Sequence, residues 1–175
     1  MSAAHGLLFC RLAIAVLFVA SAFGKLSSRR DFEISIEGFK LLRDRRLVAL
    51  TATVVMAAEV GVVVLLGVGG PLLVPGFLLA TALLVGFSVV LGHALRRRME
   101  VSCNCFGPGI RLISPWDVLR NTVMILFAVG GLVLVRVDQA PVAAGAAVLL
   151  AGMSIVFVLA MSNLGDIATT LRGPL

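Results

Sequence analysis

Five apolar runs, each about 20 residues long, constrain this chain most, because that length matches the hydrocarbon thickness of a bilayer. They cover residues 6–26, 47–68, 72–95, 117–135 and 140–161. Composition agrees: the chain is 60% hydrophobic and 14% charged, whereas a water-soluble domain carries about a quarter charged residues. The mean hydropathy is +1.11. No connector or tail is long enough to fold by itself, so residues 1–175 read as one all-α, polytopic membrane bundle. The net charge of +6 reports orientation and headgroup contact rather than nucleic-acid binding, for which no recognition module is present.

The ends of the runs carry their own signals. Ala20-Ser21-Ala22 imitates a signal cleavage site, but no Lys or Arg precedes Arg11, so the first run is expected to be a retained helix. Between the first two runs, Phe32, Ile36, Phe39 and Leu42 recur at helical spacing among Asp31, Glu33, Lys40 and Arg43. That pattern predicts one interfacial amphipathic helix. Gly69-Gly70-Pro71 predicts a tight break, and Pro75 is tolerable in the first turn of the next helix. Ser114-Pro115-Trp116-Asp117 reads as a helix start, with Ser114 as cap, Pro115 in the first position and Asp117 three residues after the cap.

Five crossings put the amphipathic connector, the loop 96–114 and the C-terminal tail on one side. That side collects Lys25, Arg29, Arg30, Lys40, Arg43, Arg45, Arg46, Arg96, Arg97, Arg98, Arg111 and Arg172. Arg11 and Arg136 fall on the other. The positive-inside rule then places the loop 96–114 on the cytoplasmic face.

Reactive chemistry gathers in that loop, at Cys103-Asn104-Cys105-Phe106-Gly107. Cysteines two residues apart can bring their Cα atoms within the roughly 4.4–6.8 Å that a disulfide accepts, and the small strained ring is easily reduced. Arg96, Arg97 and Arg98 just before it would stabilise a thiolate. The spacing is equally that of two unconnected interfacial thiols. Metal binding competes, since a Cys-x-Cys pair with His93 can hold a soft ion. A zinc site needs four ligands and no second cysteine pair exists, so no metal is assigned. Cys10, the remaining cysteine, starts the first run on the far side and reads as buried filler.

Glu59 lies near the middle of the second run, where an ionised carboxylate calls for a partner or a cavity. Arg11 is the expected ion-pair partner. A functional Glu59 would accept a proton or contact a lipid-soluble electron carrier such as a quinone; a structural Glu59 would join helices one and two. Lys25, at the end of the first run, is expected to snorkel to headgroups or sit beside the cysteine loop. Arg120 and Asn121 are expected to hydrogen-bond across helices or support that loop.

In order along the chain, Arg11, Gly24-Lys25-Leu26, Phe32 to Leu42, Glu59-Val60-Gly61, Cys103-Asn104-Cys105-Phe106-Gly107 and Arg120-Asn121 resemble the MauE family of methylamine-utilisation proteins. That family lies within the wider DoxX-like group of redox-associated membrane proteins. The resemblance implies a multi-pass protein of a bacterial plasma membrane that assists disulfide formation or redox maturation, with Cys103 and Cys105 as the exchanging pair. It also implies a thioredoxin-like or disulfide-containing client, which in methylamine utilisation resembles the disulfide-rich small subunit of methylamine dehydrogenase. Nothing in this sequence encodes methylamine specificity. Donating disulfides to an exported client wants the cysteines outside, against the charge count. Two other functions are weighed beside thiol–disulfide exchange: a non-enzymatic assembly factor docking a partner through the connector, and a carrier of a metal or small molecule.

Overall fold

Each apolar run forms a helix, because a chain in hydrocarbon must satisfy its backbone hydrogen bonds internally. The computed structural model describes residues 3–39, 44–98, 114–137 and 142–163. In order these form α1 (Ala3–Ser27), α2 (Arg29–Gly38), α3 (Arg45–Val68), a 3₁₀ turn (Gly70–Leu72), α4 (Leu73–Arg96), α5 (Pro115–Leu134) and α6 (Ala144–Ser162). No strand occurs among the described residues. Five of the helices are long and apolar enough to cross a membrane; α2, with 10 residues, is not.

α1 is the centre of the fold. It packs against α3, α5 and α6, while α4 closes a ring by packing on α3 and α5. Consistent with that place, 44% of the α1 span is buried against 17% of the α6 span. The core inside the ring draws Ile14 and Phe18 from α1, Val62 and Leu66 from α3, Phe77 and Leu84 from α4, and Met124 and Ala128 from α5. α6 joins from outside, with Phe157 stacking against Phe9 of α1 and Phe127 of α5 at centroid separations of 5.8 and 5.1 Å. Large apolar side chains such as Val54, Val89, Leu126 and Val156 point outward and stay exposed, which suits lipid and would be costly in water.

Close helix approach depends on small residues, since packing rather than hydrophobic exclusion holds helices together in lipid. At Gly131 a Cβ atom would run into the Phe77 ring of α4, so this glycine lets α4 and α5 meet. The predicted break after α3 is present: Gly69 and Gly70 both have positive φ, at 79° and 57°, a region that side chains with a Cβ avoid. Pro71 then sits in the 3₁₀ turn. The start of α5 also follows its sequence signal. The Ser114 backbone N–H donates to Asp117 Oδ2 at 2.9 Å, forming the returning half of a capping box with Pro115 in the first turn.

The first half of the connector folds into the expected amphipathic helix, which ends at Gly38 with Phe39 as its C-cap, while Lys40, Leu42 and Arg43 lie outside the described residues. Phe32 and Ile36 of this helix pack on Ala52, Met56 and Val55 of α3. α2 therefore lies along the first turns of α3 and covers that flank of the bundle end at which α1 and α4 finish and α3 and α5 begin.

Candidate functional site

Three polar side chains are buried together near that end. Lys25 Nζ donates to Ser21 Oγ at 2.7 Å and also to Glu59 Oε1. Ser21 Oγ in turn donates to the same Glu59 Oε1 at 3.0 Å. Lys25 and Glu59 are both 0% exposed. Phe32 of α2 and Phe87 of α4 lie against the ammonium, with their ring centroids 5.2 and 5.0 Å from Nζ. One cation thus draws together α1, α2, α3 and α4 through a carboxylate and two aromatic faces. Glu59 Oε2 is buried and has no hydrogen-bond partner among the described residues.

Two sequence expectations are corrected here. Lys25 does not snorkel to headgroups, and the direction of its side chain supplies the reason. Cα–Cβ bonds in a helix tilt toward the N-terminus, so a lysine in the last turn of α1 projects back into the bundle, over the residue four positions earlier. That residue is Ser21. Nor does Arg11 pair with Glu59. The register of α1 against α3 sets Ser21 opposite Glu59 and brings Arg11 beside Leu66 and Gly67, seven or eight residues further along α3. At about 1.5 Å rise per residue this is two turns away. Arg11 Nε donates to the Leu66 carbonyl at 2.6 Å and Nη2 to the Gly67 carbonyl at 2.7 Å. These are among the last carbonyls of α3, which have no intrahelical partner. Gly69 makes room for the guanidinium: a Cβ there would lie 2.9 Å from Arg11 Nη2.

Sequence reasoning missed Ser21, which it took only as part of a false cleavage site. The available signal was its spacing four residues before Lys25 on an otherwise apolar helix. Glu59 does join the first two membrane-spanning helices, α1 and α3, through Ser21 and Lys25.

Of the other sequence candidates, the arginines that end α4 and the polar pair of α5 lie toward the same end. Arg96, Arg97 and Arg98 end α4 and are exposed; Arg98 has φ of 49°, turning the chain after the helix. Arg120 and Asn121 are buried in the second turn of α5. Arg120 Nη1 lies 3.5 Å from Asp117 Oδ1, so the carboxylate that completes the cap also faces this guanidinium. Cys10 is a free, buried thiol within the core between the ring helices. Cys103, Cys105, Phe106 and Gly107 lie outside the described residues, in the segment whose flanks are Arg98 on α4's end and Ser114 on α5's start. Among the described residues no group of His, Cys, Asp or Glu is placed to hold a metal ion.

Against known proteins, the profile of the family described as methylamine utilisation protein MauE matches residues 3–134. The match runs from the start of α1 to the end of α5 and includes every candidate named above; α6 follows it. A relative from Paracoccus denitrificans, described as methylamine utilization protein MauE, is 37% identical over 165 residues, covering 90% of this chain and 86% of its own. No solved structure matches.

Proposed function

The chain belongs to the MauE family, and on that premise we propose that it is a membrane accessory protein of methylamine utilisation whose Cys103 and Cys105 exchange disulfides with a partner protein. The observation that carries this reading is the Cys-Asn-Cys pair itself, set in a family member a few residues after three exposed arginines at one end of the bundle. Guanidinium groups favour the thiolate, which is the attacking species in exchange. A thiolate of the pair attacks a disulfide of the partner, forming a mixed disulfide and releasing one partner thiolate. The second cysteine then attacks the mixed bond, closing the Cys103–Cys105 disulfide and leaving the partner with two thiols. Run in reverse, the same two steps donate a disulfide. Electrons move only between the two dithiol pairs, so the step itself balances.

The partner is a protein with its own exposed dithiol or disulfide, of the thioredoxin-like or disulfide-containing kind. Lys25 and Glu59 are fully buried, with Phe32 and Phe87 against the ammonium, so Glu59 offers no open surface to a quinone. The excess of arginine and lysine at this end supports a cytoplasmic face for the cysteine pair.

The test uses the full chain in membranes, with Cys10→Ala to remove the third thiol. Thiol labelling in intact cells with permeant and impermeant reagents should show Cys103 and Cys105 cycling between reduced and oxidised, on the face that the reagents report. Cys103→Ser or Cys105→Ser should trap a mixed disulfide with a partner. If Cys103→Ser/Cys105→Ser supports client maturation as well as the parent chain, the exchange reading fails and a non-enzymatic assembly role replaces it.

A further inference from the structure

The face of α2 turned away from Phe32 borders a groove of about 450 Å³ that runs between α2 and the first turn of α3. Arg29, Arg30, Glu33, Ile34 and Glu37 line it from α2, and Arg45 and Val48 from α3. The charges are not evenly committed. Arg29 is held: Nε donates to Glu33 Oε1 at 3.0 Å and Nη2 to Thr53 Oγ1 at 3.0 Å. Arg45 reaches Glu37 only at 4.0 Å, with its side chain 92% exposed, a contact that contributes little in water. Arg30 makes no ion pair or hydrogen bond among the described residues. With Arg29 and Glu33 cancelling, Arg30 and Arg45 face Glu37, and the described residues that line the groove keep one net positive charge.

We propose that this groove is a binding site for the headgroup of an anionic phospholipid, with Arg30 and Arg45 on its phosphate. The position favours a lipid over a soluble anion. The groove opens at the end of a membrane-spanning helix, where headgroups lie, and its one exposed apolar wall residue is Ile34, at 56%. Guanidinium groups bind phosphate oxygens through paired N–H donors, and basic side chains at a membrane surface select anionic lipids. A headgroup with one net negative charge neutralises the groove. A choline headgroup would instead bring its own cation among the arginines.

The test is lipid retention by the purified full chain, read by native mass spectrometry after exchange into mixed micelles of phosphatidylglycerol and phosphatidylcholine. The parent chain should retain phosphatidylglycerol over phosphatidylcholine. Arg30→Gln and Arg45→Gln should each weaken that retention about fivefold, while Arg136→Gln at the opposite end leaves it unchanged. Both arginines are exposed, so these variants keep the fold, which circular dichroism verifies. Equal retention of the two lipids overturns the proposal. So does phosphatidylglycerol binding that neither variant weakens, or that inorganic phosphate displaces at equal concentration, which would mean a simple anion site.

Discussion

The two ends of the central helix meet α3 in opposite ways. Near its start, Arg11 donates to the carbonyls of Leu66 and Gly67, with the outer of the two bonds exposed. Near its finish, Lys25 is sealed against Glu59 and Ser21 with no exposed surface. Both contacts tie a cation of α1 to α3, but the costs of breaking them differ. At the Arg11 end, water and headgroups can replace either partner, because α3's last carbonyls would otherwise be solvated. At the Lys25 end, removing one partner leaves the other charge in hydrocarbon with nothing to replace it. The comparison teaches that a buried pair is a condition of the fold, while a cap at the membrane surface is an adjustable joint.

The sharpest way to break this comparison is Lys25→Met, which strands the Glu59 carboxylate. Thermal and denaturant unfolding in detergent should show a loss of about 3–5 kcal/mol, the range for an orphaned buried charge. Lys25→Met combined with Glu59→Leu should recover most of that loss, because a fully apolar pair carries no desolvation penalty. If the double variant is as unstable as the single, the ion pair is not what the site depends on. Next in size comes Arg11→Leu, expected to cost about 1.5–3 kcal/mol, the worth of one bond from a charged donor, because the bond to Gly67 is exposed and water replaces it. Gly69→Ala should have a similar sign, since it strains the positive φ and crowds the guanidinium. An Arg11→Leu loss as large as that of Lys25→Met would erase the distinction between the two ends. Smallest is Ser21→Ala, at about 1 kcal/mol. Lys25 and Glu59 still meet without the hydroxyl, so a much larger loss would mean that Ser21 orients the pair.

Much of the fold was legible along the chain. The five spans could be read because hydrocarbon thickness demands long apolar runs, and α5's start because Ser114, Pro115 and Asp117 each suit one position of a helix N-terminus. The amphipathic α2 was visible in the spacing of Phe32 and Ile36. The site was legible in its residues but not in its pairings. Glu59 announced a buried partner, and the sequence offered two cations on α1. Arg11 looked the better choice because Lys25, at a helix end, could reach headgroups by turning outward. Choosing between them requires the register of α1 on α3, which apolar periodicity leaves open: many registers bury equally good stripes of Leu, Val and Ala.

By itself, then, the amino-acid order determined that this is a helical membrane protein with five long apolar spans, and that α5 starts at Ser114-Pro115. These are local properties, set by hydrophobic length and terminal capping. Only the tertiary structure decided that Lys25 points inward, that Glu59 answers it through Ser21, that α2 and Phe32 close over the ammonium, and that Arg11 serves α3's far end. Those outcomes depend on how helices slide and face one another. That choice rests on the packing of several elements at once, and on the cost of leaving any charge without a partner in the membrane.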